Sequence, residues 1–216
     1  HRHHRVSPGG VRRYSVEGLT LDIPRGYSEI CQQVKSEHPR YLYLFAPDSV
    51  PDGSGHSLET RMGFIRELGL DGPPQVTALD IGAGSGLWSW LLQQYGHRVI
   101  STNPGGKTWL DNAYAEAHKA LGLEWTPLNV QAFTTLPLEP VDVITALKTA
   151  FHSDWAANEW EFFLRDVVRC LRPGGRALLQ VNHTGHAESS FAALCSLRLP
   201  DGWRRKGQDV FVYGNP

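Results

Sequence analysis

Polar and apolar residues change rhythm near residue 76. From there, short apolar runs alternate with segments whose apolar positions recur every three or four residues, the pattern of strands alternating with amphipathic helices. Val76–Ile81 predicts a first strand, Leu87–Tyr95 a helix and Arg98–Thr102 a second strand. Thr108–Leu121 follows as a helix with Trp109, Ala113, Ala117 and Leu121 on one face. A third strand is expected within Leu123–Val130, and Val141–Leu147 is apolar enough for the middle of a parallel sheet. Trp160, Phe163, Leu164, Val167, Val168 and Leu171 make a stripe for burial on a helix. Pro173-Gly174-Gly175 stops that helix, Arg176–Val181 is a fifth strand and Ala187–Leu197 a helix. Trp203–Arg205 and Val210–Tyr213 then pair as a hairpin across Lys206–Asp209. Five β-α units closed by a hairpin predict an α/β, doubly wound sheet with one reversed strand.

The first ~70 residues have a different texture, broken by turn signals at Pro8-Gly9-Gly10, Pro24-Arg25-Gly26, Pro47-Asp48 and Asp52-Gly53-Ser54-Gly55. Ser28–Glu37 reads as a short helix, Arg40–Phe45 as an aromatic-rich run of undefined type, and Ser57–Leu68 as a helix ended by Gly69. The expected division is an N-terminal extension, residues 1–56, and a domain of residues 57–216. Tyr41, Tyr43 and Phe45 of the extension are expected to cover the site of the domain.

Composition narrows the partners. A net charge of −1 over 216 residues gives no global field for nucleic acid or an anionic membrane. Arg2, Arg5, Arg12 and Arg13 make only the N-terminal tail basic, which reads as a solvated tail rather than an RNA-binding arm. No apolar run reaches the ~18 residues of a membrane span, and no secretory signal is recognisable. Cys31, Cys170 and Cys195 have no metal-ligand spacing and read as reduced thiols, so a cytoplasmic location is expected and no metal site.

The densest signal is Val76-Thr77-Ala78-Leu79-Asp80-Ile81-Gly82-Ala83-Gly84-Ser85-Gly86, a strand that passes through an acid into alternating glycines and a helix. Such a turn lets a nucleotide-type ligand rest against bare backbone and helix N–H groups. A dinucleotide fingerprint needs its third glycine at position 87, which is Leu87. The pattern Leu-Asp-Ile-Gly-Ala-Gly-Ser-Gly resembles the first motif of class I S-adenosylmethionine-dependent methyltransferases. Leu171-Arg172-Pro173-Gly174-Gly175 is similar to that family's turn before strand five. The resemblance spans roughly Leu58 to Tyr213. It implies a seven-stranded Rossmann-like sheet of order 3-2-1-4-5-7-6 with the last strand antiparallel, and S-adenosyl-L-methionine as cofactor.

In this family the acid, here Asp80, meets the cofactor ammonium, and Gly82, Ala83, Gly84 and Gly86 carry its methionine and ribose parts. Ligands of open parallel sheets bind beyond the carboxyl ends of the strands, which adds the loops after Ile81, Thr102, Val130 and Leu147. The chain departs from the family where an acid at the end of strand two accepts the ribose hydroxyls: Thr102-Asn103 stands there. Asn103 can offer an amide oxygen to the ribose but no charge. On the adenine side, Gln131 is expected at the amino group and Phe133 against the ring, with surface or core filler as the competing reading of both. His152 is the candidate general base, with Asp154 orienting it. The competing reading has His152 packing against the cofactor or capping the next helix. Lys148 either meets an anionic group or snorkels to solvent.

The leading expectation is methyl transfer to a small or medium-sized acceptor, a small molecule or peptide, achieved mainly by positioning. A degenerate methyltransferase-like module that holds a ligand or partner is the alternative.

Overall fold

The computed structural model describes residues 5–6, 12–16, 19–48 and 57–214. The turns expected at Pro8-Gly9-Gly10 and Asp52-Gly53-Ser54-Gly55 lie outside those residues. A small antiparallel sheet, absent from the expectations above, is built from β1 (Arg5–Val6), β2 (Arg12–Val16) and β3 (Leu19–Ile23) in that order. Leu19-Thr20-Leu21-Asp22-Ile23 alternates with the period of a half-buried strand: Leu21 and Ile23 are buried, Thr20 and Asp22 exposed. Arg13 and Asp22 stand opposite each other in the register and pair at 2.8 Å.

Helix α1 (Arg25–Glu37) starts after Pro24 and buries Tyr27, Cys31 and Val34 along one stripe. A 3-10 turn over Pro39–Leu44 resolves the aromatic run. Helix α2 (Leu58–Glu67) is capped by Ser57, whose hydroxyl accepts from the Thr60 N–H. The division expected after residue 56 falls beside residues outside the description. On either side of it, Tyr14, Leu21, Ile23 and Tyr27 share one apolar cluster with Leu58, Met62, Leu87 and Leu91.

The main sheet holds β4 (Thr77–Ile81), β5 (Arg98–Asn103), β6 (Trp125–Pro127), β7 (Val141–Leu147), β8 (Leu171–Gln180), β9 (Trp203–Lys206) and β10 (Val210–Tyr213). Its order is β6-β5-β4-β7-β8-β10-β9, with β10 antiparallel to both neighbours. This is the 3-2-1-4-5-7-6 arrangement expected above. Helices α3 (Leu87–Gln94), α4 (Trp109–Ala120), α5 (Ala157–Arg169) and α6 (Glu188–Ser196) cover it. Successive residues of β4 point to opposite faces: Ala78 joins the cluster with α1 to α4, Leu79 and Ile81 the one with α5 and α6.

One strand starts earlier than expected. β8 begins at Leu171, opposite Val141, and the next pairing joins Val143 to Arg176. Residues 172–175 bulge out between these two pairings, and Arg172 from the bulge pairs with Asp142 at 3.0 Å.

The α5 stripe buries Trp160, Phe163, Leu164 and Val167 against the sheet. Trp160 is 1% exposed, packs against Trp155 and Phe163, and donates Nε1 to the Ser190 carbonyl at 3.0 Å. Trp160→Ala is expected to cost about 3–5 kcal/mol in urea unfolding, and Trp160→Phe about 1–2 kcal/mol through the lost buried hydrogen bond.

Candidate active site

The turn between β4 and α3 is held by the neighbouring strand. The Ala83 N–H donates to the Thr102 carbonyl at 2.7 Å, and Thr102 Oγ1 donates to the Asp80 carbonyl at 2.8 Å. Gly82 and Gly84 have φ of 67° and 57°, a region side chains resist, and a Cβ on Gly82 would lie 2.7 Å from Thr149 Cγ2. Asn103 is buried and spends its amide on this turn: Oδ1 accepts from the Gly84 N–H at 2.9 Å and Nδ2 donates to the Gly84 carbonyl at 3.2 Å. The residue expected at the ribose therefore braces the glycine loop with both ends of its amide.

Asp80 is 2% exposed. Burial pushes its carboxyl up to about 7, against hydrogen bonds from Ser89 and Thr145 and the charge of Arg61. Ser89 Oγ lies 2.7 Å from Oδ2, and Thr145 Oγ1 3.3 Å from Oδ1. Arg61, on α2, acts on Asp80 from outside the glycine motif. It is buried, and burial lowers its guanidinium to about 10, while Tyr27 and Asp80 act in the opposite direction. Arg61 and Asp80 line one cavity with Gly82, Ala83, Gly84, Leu147 and Lys148, and Leu44 of the 3-10 turn closes it. Of the expected cover, Phe45 is buried, and its carbonyl accepts from the Tyr27 hydroxyl, which also lies 3.0 Å from Ser85 Oγ. Tyr41 instead packs edge-on to Trp109.

A second cavity continues past Tyr114, lined by Asn103, Gly105, Gly106, Asp111 and Trp125 among others. It contains an acid that no reading of strand two would find, because Asp111 comes from the first turn of α4. Thr108 donates its N–H and hydroxyl to Asp111 Oδ2 at 2.9 and 2.6 Å, which holds this carboxyl below its usual range. A Cβ on Gly106 would lie 2.2 Å from that oxygen, so the carboxylate rests on bare backbone. Gln131 and Phe133 line neither cavity: Gln131 is exposed, and Phe133, 54% exposed, packs edge-on to Phe162.

The loop after β7 also differs from expectation. His152 is 1% exposed and lies among Phe151, Trp155 and Trp160. Among the described residues neither ring nitrogen has a hydrogen-bond partner, and burial lowers the imidazole to about 4. Asp154 is exposed and does not orient it. Lys148 neither snorkels nor waits for an anion: Nζ pairs with Asp209 and donates to the Val181 carbonyl at 3.3 Å. His183 Nδ1 lies 3.4 Å from the same Nζ. This group stands at the carboxyl ends of β7 and β8, and Lys148 borders the first cavity.

A family profile described as a methyltransferase domain matches residues 79–179. A ubiquinone biosynthesis O-methyltransferase of Parvibaculum lavamentivorans is 26% identical over 214 residues, covering 94% of this chain and 72% of that protein. The TehB-like SAM-dependent methyltransferase from Corynebacterium glutamicum superposes with a TM-score of 0.50 at 14% identity, over 88% of this chain and 100% of that one. TrmN from Thermus thermophilus gives 0.52 at 18% identity, over 82% and 52%. The matched methyltransferase-domain profile, the O-methyltransferase relative and the shared Rossmann-like fold together support a class I S-adenosylmethionine-dependent methyltransferase. No helix among the described residues is long and apolar enough to cross a membrane.

His152 gives this site a pH signature in stability. Its folded pKa is lowered from 6.5 to about 4, so the contribution of the neutral ring is complete above 6.5 and is lost as pH falls toward 4. The loss is about 3 kcal/mol. In urea unfolding, lowering the pH from 7 to 4.5 is expected to cost the wild type about 2–3 kcal/mol more than it costs His152→Leu, the two sharing every other titrating group, Asp80 included.

Proposed function

We propose that the protein transfers the methyl group of S-adenosylmethionine to an oxygen of a small or medium-sized acceptor. The observation that carries the cofactor reading is the presence of an acid and a guanidinium, Asp80 and Arg61, on the wall of one cavity that Gly82 and Gly84 also line. An amino acid zwitterion needs a carboxylate for its ammonium and a guanidinium for its carboxylate. A nicotinamide dinucleotide has no such end. The adenosine part then falls toward the second cavity, where Asp111 supplies the charge missing from Asn103 and Trp125 an aromatic surface.

When bound, the cofactor supplies an activated methyl group on a sulfonium. The chain's residues supply the rest: the braced glycine turn fixes position, Leu44 and Phe45 exclude water, and the loop after β7 borders the acceptor. Lys148, His183 and Asp209 form the polar wall on that side. The choice of oxygen draws support from the O-methyltransferase relative. Ligand binding without transfer is the second reading, favoured by the burial of His152 away from any acceptor.

Calorimetric titration with S-adenosylhomocysteine is expected to show micromolar binding, with none for NAD. Arg61→Met is expected to weaken it about 10- to 100-fold while leaving 5′-methylthioadenosine, which lacks the amino acid end, unaffected. No binding by the wild type would overturn the cofactor reading. Binding without transfer of a labelled methyl to phenol, catechol or hydroxy acid acceptors would select the second reading.

A further inference from the structure

Four polar side chains form an unbroken line through the core, from the end of β4 to α4. Asp80 Oδ2 lies 2.7 Å from Ser89 Oγ, Ser89 Oγ 3.1 Å from Ser101 Oγ, and Ser101 Oγ 2.9 Å from His118 Nε2. None of the four is more than 2% exposed. His118 Nδ1 lies 2.9 Å from the Tyr114 carbonyl, which can only accept, so Nδ1 carries a hydrogen. Gly86 of the glycine motif makes room for the ring: a Cβ there would lie 3.0 Å from Nε2.

Counting hydrogens restricts this line to two states. Its three contacts need three hydrogens, and Ser89 and Ser101 bring one each. The third sits either on Asp80 or on His118 Nε2. In the first case the donors run from a neutral carboxyl through both serines to a neutral imidazole. In the second they run from an imidazolium through both serines to a carboxylate. Without the third hydrogen one buried contact is empty, and with a fourth two donors collide, both costly away from water.

We propose that Asp80 and His118 hold one proton between them, and that an ammonium arriving against Asp80 sends it to His118. This rests on the cofactor reading above. The Asp80 O–H bond breaks as Ser89 takes the proton; Ser89 passes its own to Ser101, and Ser101 passes its own to Nε2. No proton crosses to solvent. Burial acts in the required direction in the empty site, raising the Asp80 carboxyl and lowering the His118 imidazole. The other groups facing Asp80 are Arg61 from α2, whose charge favours the carboxylate, and Thr145 from β7, which takes a hydrogen from Trp88 Nε1 in either state. His118 faces Ser101, the Tyr114 carbonyl and Leu123. His118 is thus a positioning residue: it touches no cofactor, and it keeps the charge of Asp80 independent of solvent pH.

The test is titration with S-adenosylhomocysteine at about pH 6 and pH 7, in buffers of different ionisation enthalpy. His118→Gln keeps a hydrogen-bonding side chain that cannot take the proton, and Ser101→Ala cuts the line at another point. The wild type is expected to bind without net proton release and with level affinity. Both variants are expected to release close to one proton at pH 6 and to lose about fivefold in affinity between pH 7 and pH 6. Equal release in all three would overturn the proposal. In the ligand-free protein, nitrogen NMR is expected to show His118 with Nδ1–H and a bare Nε2, turning to imidazolium on binding. A bare Nδ1 would overturn the shared proton even if no ligand binds. Failure of the wild type to bind would overturn the cofactor reading and the displacement with it, while the ligand-free tautomer still decides the relay.

Discussion

The constraint behind this site is the burial of a carboxylate. Asp80 stands one residue before the end of a strand that lies between two others and beneath a helix, where holding an isolated charge would be costly. The surroundings answer that cost side by side: a serine on α3, a serine on β5, a threonine on β7 and an arginine on α2. These choices put small polar residues where an α/β core would otherwise take apolar ones. They also explain why the glycine turn is so firmly tied to β5, since any shift of Gly82 or Gly84 would move the opening above the acid. Asn103 is part of that tie.

The N-terminal segment belongs to the same construction. Its helix α1 reaches the glycine turn through Tyr27 and Ser85, its 3-10 turn closes the first cavity with Leu44, and α2 carries Arg61 into it. A cofactor held by Asp80 and Arg61 would tie the Rossmann-like sheet to the elements in front of it. On the opposite side, the pair between Lys148 and Asp209 pins the β9–β10 hairpin to the end of β7. The polar cluster of Lys148, His183 and Asp209 beside the first cavity is thus assembled from three elements distant in the chain.

The main sheet was legible because each of its elements carries a local signature. Apolar runs mark the strands, the α5 stripe marks a helix, and Gly82, Gly84 and Gly86 mark a turn whose backbone excludes most side chains. Leu19 to Ile23 carries an equally plain alternation, but turn signals crowd it on both sides. The site was less legible, since its partners meet only in space. Arg61 lies 19 residues before Asp80 on another helix, and Asp111 enters from α4 rather than from strand two. His152 had the right spacing for a base, but spacing does not report which way a ring turns. Phe151, Trp155 and Trp160 draw it into the core.

A crystal structure with S-adenosylhomocysteine bound tests the central claim most directly. The account predicts the ligand amino group against Asp80, its carboxylate at Arg61, and its adenosine in the cavity of Asp111 and Trp125. A ligand lying elsewhere, or one whose amino acid end points away from Arg61 and Asp80, would contradict it.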